Sequence, residues 1–184
     1  MTDGPSLPAK IVLVHQALHS AGLPHAFGGA LALAWCTRRA RGTVDIDVNV
    51  FVGIADADLV LAALAAHAPA DAAARGRLLA DGQVRLWFDR TPVDVFLDTT
   101  PFHQEIESRI RSEPFAGADL PFLSCTDLAV FKAFFDRSRD WADLEEMLDA
   151  GGLDVDAVLG VLTRYLGGAD HRVDRLRRLA GPPG

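Results

Sequence analysis

The sequence predicts a mixed α/β (α+β) fold: a core sheet flanked by helices, followed by a C-terminal helical bundle. Three observations carry this reading. Residues 45–52, 83–89 and 93–97 are rich in β-branched and aromatic side chains with strand-like alternation. A glycine pair, Gly28–Gly29, stands between a short apolar segment and a helical apolar run. From Asp127 onward the apolar spacing is helical throughout. The expected division is a core over residues 1–123 and a helical region over 124–184, the two packed as one unit.

Residues 8–21 place Ile11, Val12, Val14 and Leu18 at helical spacing, and Gly22 with Pro24 stops that helix. Residues 25–27 read as a short strand entering the glycine turn, and residues 30–38 as a helix starting at the glycines. Residues 45–52 alternate as a strand, and 56–66 read as a helix opened by acidic residues. Segments 83–89 and 93–97 form a hairpin around Arg90-Thr91-Pro92. Four helices follow, over 127–137, 141–149, 155–165 and 170–179. No internal repeat or low-complexity linker interrupts the chain, and the terminal Gly-Pro-Pro-Gly is expected to fray.

Composition bounds the function. With 184 residues, 49% hydrophobic, the chain suits one domain or a core with a helical appendage. A net charge of −7 argues against non-specific duplex binding through the whole surface, although local basic patches remain open. Cys36 and Cys125 are too few for a disulfide scaffold and lack metal-ligand spacing. The N-terminus has no signal-peptide pattern, and His67, Pro69 and Asp71 interrupt the Ala-rich stretch 59–74 well short of a membrane span. A soluble, cytoplasmic protein is expected.

Asp45 and Asp47 stand two apart in an otherwise apolar strand, so their side chains share a face. Adjacent carboxylates repel, and burial raises the cost of their charge. A cation resolves the conflict, which points to a divalent-metal site. Asp94, in V-D-V-F-L, joins them if its strand pairs nearby. Three carboxylates with substrate phosphates suit Mg²⁺ or Mn²⁺, and two such ions serve phosphoryl or nucleotidyl transfer. Gly28 and Gly29, at a strand-to-helix turn, let backbone N–H groups approach phosphate oxygens.

The blocks G-G-A-L-A-L, R-G-T-V-D-I-D-V and V-D-V-F-L-D occur in that order. Together they resemble minimal nucleotidyltransferases of the DNA polymerase β-like superfamily, most closely the AbiEii/AbiGii-type toxin group. The segment S-C-T-D-L-A-V-F-K-A-F-F-D-R-S-R-D-W-A-D-L-E-E-M-L is similar to that group's lysine-bearing helix and the acidic pattern after it. The resemblance covers roughly residues 24–150 and implies a nucleotidyltransferase-like core sheet. It implies a phosphate-binding turn at Gly28 and Gly29, and metal ligation by Asp45, Asp47 and Asp94. It further implies a triphosphate contact from Lys132 and supporting acidic residues at Asp140 and Asp143. Two departures stand out. Ala30 occupies a position where many relatives carry Ser or Thr, and the spacer before Asp45 holds an additional Arg38-Arg39-Ala40-Arg41 cluster.

A purely structural role is open to each of these residues. Asp45 and Asp47 could line the wet side of an edge strand, and Asp94 could pair with Arg85 or Arg90. Lys132 could snorkel to solvent from an apolar helix. Arg137, Arg139, Asp140 and Asp143 could bridge helices or cap the one carrying Trp141. His25 and His103 read as ordinary polar residues, and Trp35, Trp87 and Trp141 as core. Residues 38–41 could be solvated or meet phosphate. The arginines Arg172, Arg175, Arg177 and Arg178, diluted by Asp170 and Asp174, read as a solvated face.

The expected activity is metal-dependent transfer of a nucleoside monophosphate from an NTP co-substrate to an acceptor hydroxyl, with release of pyrophosphate. The resemblance implies an RNA or tRNA end, or a protein hydroxyl, as acceptor, and a cognate antitoxin as partner. A second reading is a small-molecule nucleotidyltransferase resembling aminoglycoside-modifying enzymes, whose cationic substrate would suit the acidic chain. A third is a catalytically silent domain that binds nucleotide or a partner protein.

Overall fold

A computed structural model describes residues 4–39 and 42–181, and within them the chain forms two compact units. The first runs to Leu31 and from Gly42 to Leu123; the second takes the residues from Ala32 to Arg39 and from Ser124 onward. The fold is mixed α/β, with a six-stranded mixed sheet and nine α-helices among the described residues.

In the first unit the strands are β1 (His25–Phe27), β2 (Ile46–Val50), β3 (Gln83–Phe88), β4 (Thr91–Leu97), β5 (Arg111–Phe115) and β6 (Ala118–Phe122). Their order across the sheet is β3-β4-β2-β1-β6-β5. β2 runs parallel to β4 and β1 parallel to β6, while the other neighbours are antiparallel. The register of the three strands at the β3 edge decides which side chains share a face. Val84, Leu86 and Phe88 of β3, Val93, Val95 and Leu97 of β4, and Ile46, Val48 and Val50 of β2 are all buried. The alternate positions (Arg85, Trp87, Asp94, Asp47) carry the polar and exposed side chains of the opposite face.

The helices of this unit complete the core. α1 (Leu7–Ser20) starts at Ser6, whose hydroxyl accepts from the Ala9 N–H, with Pro8 in its first turn. It buries Ile11, Val14 and Leu18. α3 (Ala57–Leu64) contributes Val60 and Leu64, and α4 (Ala72–Asp81) contributes Ala74 and Leu78. Asp71 caps α4 by accepting from the Ala74 N–H, and Gly82 ends it in a left-handed conformation, φ +67°. Lys10 of α1 is buried and reaches the β3–β4 turn, donating to Phe88 O at 3.0 Å and Thr91 Oγ1 at 3.1 Å. A short helix, α5 (Pro101–Ile106), is capped by Thr100.

α2 (Gly29–Thr37) begins in the first unit, and its residues from Ala32 belong to the second. The second unit also holds α6 (Cys125–Phe135), α7 (Ser138–Asp149), α8 (Val155–Leu166) and α9 (His171–Ala180). Ser124, Asp154 and Asp170 cap α6, α8 and α9 through side-chain oxygens. At the start of α7 the Asp140 carboxylate accepts from the Arg137 N–H, and the Asp140 N–H donates to Arg137 O.

Several expectations need correction. α4, α5, β5 and β6 were not anticipated. Pro114 and Pro121 dilute the strand signal of the β5–β6 hairpin, and Gly76 that of α4. The β3–β4 turn is tighter than expected, because Phe88 pairs with Thr91 across Asp89-Arg90, with Asp89 at φ +53°. The strand expected over 45–52 is shorter, so Asp45 precedes it. Trp35 and Trp87 are not core: they are 40% and 53% exposed, whereas Trp141 is buried. Lys132 does not snorkel to solvent but is buried. Cys36 and Cys125, too few for a disulfide scaffold, are nevertheless bonded to each other, with 5.5 Å between Cα atoms. Of the basic cluster at 38–41, Ala40 and Arg41 lie outside the described residues, as does the end of the terminal Gly-Pro-Pro-Gly. No helix among the described residues is long and apolar enough to cross a membrane.

Candidate active site

The strand register sets three charged residues in one row. Asp47 of β2 pairs with Asp94 of β4, and Asp94 pairs in turn with Arg85 of β3. Residues directly opposite on neighbouring strands have side chains in reach of one another. Asp45, two positions before Asp47, adds its carboxylate beside the same guanidinium. Arg85 donates to both oxygens of Asp94, Nε to Oδ1 at 2.7 Å and Nη2 to Oδ2 at 2.6 Å. Its Nη2 lies 3.6 Å from Asp45 Oδ2. The hydrogen bonds to Asp94, then the charges of Asp94, Asp45 and Asp47, hold the Arg85 pKa above its already high ordinary value, against the lowering effect of burial. The guanidinium is thus the cation that answers the repulsion among these carboxylates.

The glycine turn abuts this row. Gly28 donates its N–H to Asp47 O at 3.0 Å, tying the turn to β2. A Cβ on Gly28 would stand 3.1 Å from Asn49 Nδ2 and 3.2 Å from Leu123 Cδ1. Gly29 has φ +52°, and a Cβ there would overlap the Asp47 carboxylate. Only a glycine meets both demands, a left-handed backbone and an acidic side chain against its Cα. The N-terminus of α2 therefore begins beside Asp47, and the N–H groups of its first turn, which have no intrahelical acceptors, favour anions.

The oxygen donors are of the hard type that suits Mg²⁺ or Mn²⁺. Asp47 and Asp94, as register partners, stand side by side for it. With Arg85 on Asp94, however, no group of three His, Cys, Asp or Glu side chains among the described residues closes on one point. The donor chemistry fits a divalent cation, and the place beside Asp94 is taken by a guanidinium.

Lys132, Asp140 and Asp143 sit in the second unit. Lys132, on α6, is buried and donates to Asp143 Oδ2 of α7 at 2.5 Å, with Asp140 Oδ1 3.9 Å away. Asp140 also accepts from Arg137 Nε at 2.6 Å. His25, on β1, accepts from or donates to His15 Nδ1 at 2.9 Å and bonds Leu23 O through Nδ1 at 2.8 Å. Burial first, then the neighbouring His15 and His19, lowers its pKa to about 4 against a smaller opposing effect of the Leu23 bond. Burial likewise holds His103 at about 4.

Two residues on the carboxylate face carry more than the sequence suggested. Arg85 entered only as a possible partner of Asp94, and Trp87 as core. A period-two burial pattern in Q-V-R-L-W-F, with Val84, Leu86 and Phe88 inward, was the signal that places Arg85 and Trp87 together on the outer face.

No family model matches the sequence, and comparison with curated proteins gives no significant match. Solved structures do match. The antibiotic-resistance factor ANT(2'')-Ia, studied in solution, is 13% identical with a TM-score of 0.54, covering 93% of this chain and 89% of its own. An antigenic nucleotidyltransferase-like protein from Paracoccidioides brasiliensis is 11% identical with a TM-score of 0.52, covering 91% of this chain and 84% of its own. At such identity the likeness speaks for the fold. This chain has a nucleotidyltransferase-like fold.

Proposed function

We propose that the chain is a metal-dependent nucleotidyltransferase that moves a nucleoside monophosphate from an NTP to an acceptor hydroxyl. The observation that carries this reading is the placing of Asp47 between Asp94 on one side and the Gly28–Gly29 turn on the other. One element offers carboxylates to a cation, the other offers backbone N–H groups to phosphates, and the two meet at a single residue. A bound Mg²⁺ or Mn²⁺ would supply positive charge to the phosphates of the NTP. Asp45 and Asp47 would hold it, with Asp94 completing the site. The acceptor oxygen bonds the α-phosphorus, the bond from that phosphorus to the pyrophosphate oxygen breaks, and the acceptor proton passes to the Asp94 carboxylate. Gly29 and the first N–H groups of α2 would hold the phosphates in line, with Gly28, its own N–H bonded to Asp47 O, shaping the turn, so positioning supplies much of the effect. The resemblance further assigns triphosphate contact to Lys132, with Asp140 and Asp143 behind it.

Two acceptor classes follow from different supports. The AbiEii-type resemblance favours an RNA or tRNA end or a protein hydroxyl, with an antitoxin as partner. The fold likeness to an antibiotic-resistance factor, together with the net charge of −7, favours a small cationic acceptor of the aminoglycoside kind. The test is incubation with each α-³²P-labelled NTP, Mg²⁺, and total tRNA, lysate or an aminoglycoside panel, beside Asp47→Ala. Label transferred by the wild type alone supports the reading and names the acceptor. Equal transfer by a folded Asp47→Ala protein would sink it.

A further inference from the structure

Arg85 is bonded to the group that the proposed reaction needs free. Both Asp94 oxygens accept from its guanidinium, through Nε and Nη2, and Asp45 lies within ion-pair distance of the same Nη2. Arg85 occupies one lone pair on each Asp94 oxygen and sets a full positive charge against them, so a divalent ion arriving at Asp94 is repelled by the guanidinium and the two cations compete for the carboxylate. The surroundings of Arg85 leave it a way out. It stands on β3, the edge strand of the sheet, and its side chain is 49% exposed while that of Asp94 is 18% exposed. An ion pair so open to water is weakly held, because solvent screens it and a long side chain regains freedom when released. The neighbouring residues on its own strand face, Gln83 and Trp87, are exposed as well.

We propose that Arg85 is a displaceable counter-cation of the Asp45–Asp47–Asp94 row, occupying Asp94 in the metal-free protein and rotating outward to solvent when a divalent ion enters. This rests on the metal-dependent reading above and deepens it. Arg85 is a positioning residue: it keeps three like charges together while the site waits for metal, and it sets the threshold for metal entry. A guanidinium suits the task better than an ammonium, since its planar fork holds both carboxylate oxygens. Its charge persists at any physiological pH, so the exchange is driven by metal concentration.

The test is Mn²⁺ titration of the full chain without nucleotide, followed by electron paramagnetic resonance, in wild type, Arg85→Ala and Arg85→Gln. Circular dichroism verifies that each variant is folded, and Arg85→Gln keeps part of the stem and two N–H donors without the charge if Arg85→Ala does not fold. Removal of the competing charge is expected to tighten Mn²⁺ binding by about tenfold, which corresponds to ~1.4 kcal/mol. Mg²⁺ is expected to raise the melting temperature of either variant more than that of wild type, because the metal then replaces the missing cation. Equal or weaker Mn²⁺ affinity in the folded variants overturns the proposal while leaving the metal-dependent reading intact. Absence of Mn²⁺ binding in wild type and variants alike overturns both.

Discussion

The Asp47 carboxylate fills the space that a side chain on Gly29 would take, with Asp47 Cγ 2.5 Å from the position of a Gly29 Cβ. The backbone of Gly29 is left-handed as well, φ +52°. Gly29→Ala therefore combines a backbone penalty with displacement of the whole Asp47 side chain, since even the Asp47 Cβ lies only 3.0 Å away. The backbone component alone costs about 1–2 kcal/mol. We expect a folded but less stable protein whose nucleotidyl transfer falls as far as that of Asp47→Ala. Urea unfolding and the labelling assay check the two halves. Wild-type transfer by Gly29→Ala would show that Asp47 need not sit where the structure puts it.

Lys132 and Asp143 form a buried pair in the second unit, their side chains 9% and 6% exposed. Removing one member of such a pair leaves a charge without its main counter-ion, typically at a cost of 3–5 kcal/mol, whereas replacing both by apolar groups costs far less. Lys132→Met should destabilise by about 3–5 kcal/mol. The double variant Lys132→Met/Asp143→Leu should recover most of that loss. Denaturant midpoints of wild type, Lys132→Met, Asp143→Leu and the double variant measure the coupling. A stable Lys132→Met single variant with lost transfer would instead favour the triphosphate role.

Acid should weaken the fold through His25. Its pKa is near 4 when folded, below the usual 6.5, because burial disfavours its charged form. Between those two values the unfolded chain binds a proton that the folded chain refuses, so stability is present above pH 6.5 and is lost as pH falls toward 4. The groups facing it, His15 and His19, are also cationic when protonated and act in the same direction. His25→Gln should flatten this limb of the stability–pH curve, read from urea midpoints between pH 7 and 4. An unchanged slope would place the acid sensitivity elsewhere.

The Cys36–Cys125 bond closes a separation of 89 residues. Cross-linking so long a loop restricts the unfolded chain and typically stabilises by about 2–5 kcal/mol. Dithiothreitol, Cys36→Ser and Cys125→Ser should lower the denaturant midpoint by the same amount, and the double variant no further. Non-reducing peptide mapping of the purified protein tests for the bond directly. Identical midpoints with and without reductant would show that it contributes nothing.

Local chemistry made much of the fold readable. β3 alternates cleanly, Q-V-R-L-W-F, because one face is buried and the other wet, and the period survives in the residue types. Gly22 marks the end of α1 in the sequence, whereas the caps Ser6 and Ser124 and the stop at Gly82 emerge only with the structure. The β5–β6 hairpin was not readable, because Pro114 and Pro121 are tolerated there by the sheet rather than favoured by the residues. Trp87 looks like core by residue type alone; its place in the alternation of β3, on the face of Arg85, puts it outside. Among the candidate site residues, the types and spacing of Asp45, Asp47, Asp94 and the glycine pair were visible in the chain. Of their neighbours, Arg85 was visible only as one of two possible partners of Asp94, and the contact of Gly29 with Asp47 was not visible.

By itself, then, the sequence determined the class of fold, the positions of most of its helices and central strands, and which residues are candidates for the chemistry. These depend on periodicity and on side-chain type, which are local properties. The tertiary structure decided that Asp47 stands between Asp94 and Gly29, that Arg85 holds Asp94, that Lys132 is committed to Asp143, and that Cys36 meets Cys125. Each of these is a meeting of residues distant in the chain or on different elements. Strand order, register and helix packing create such meetings, and no local pattern encodes them.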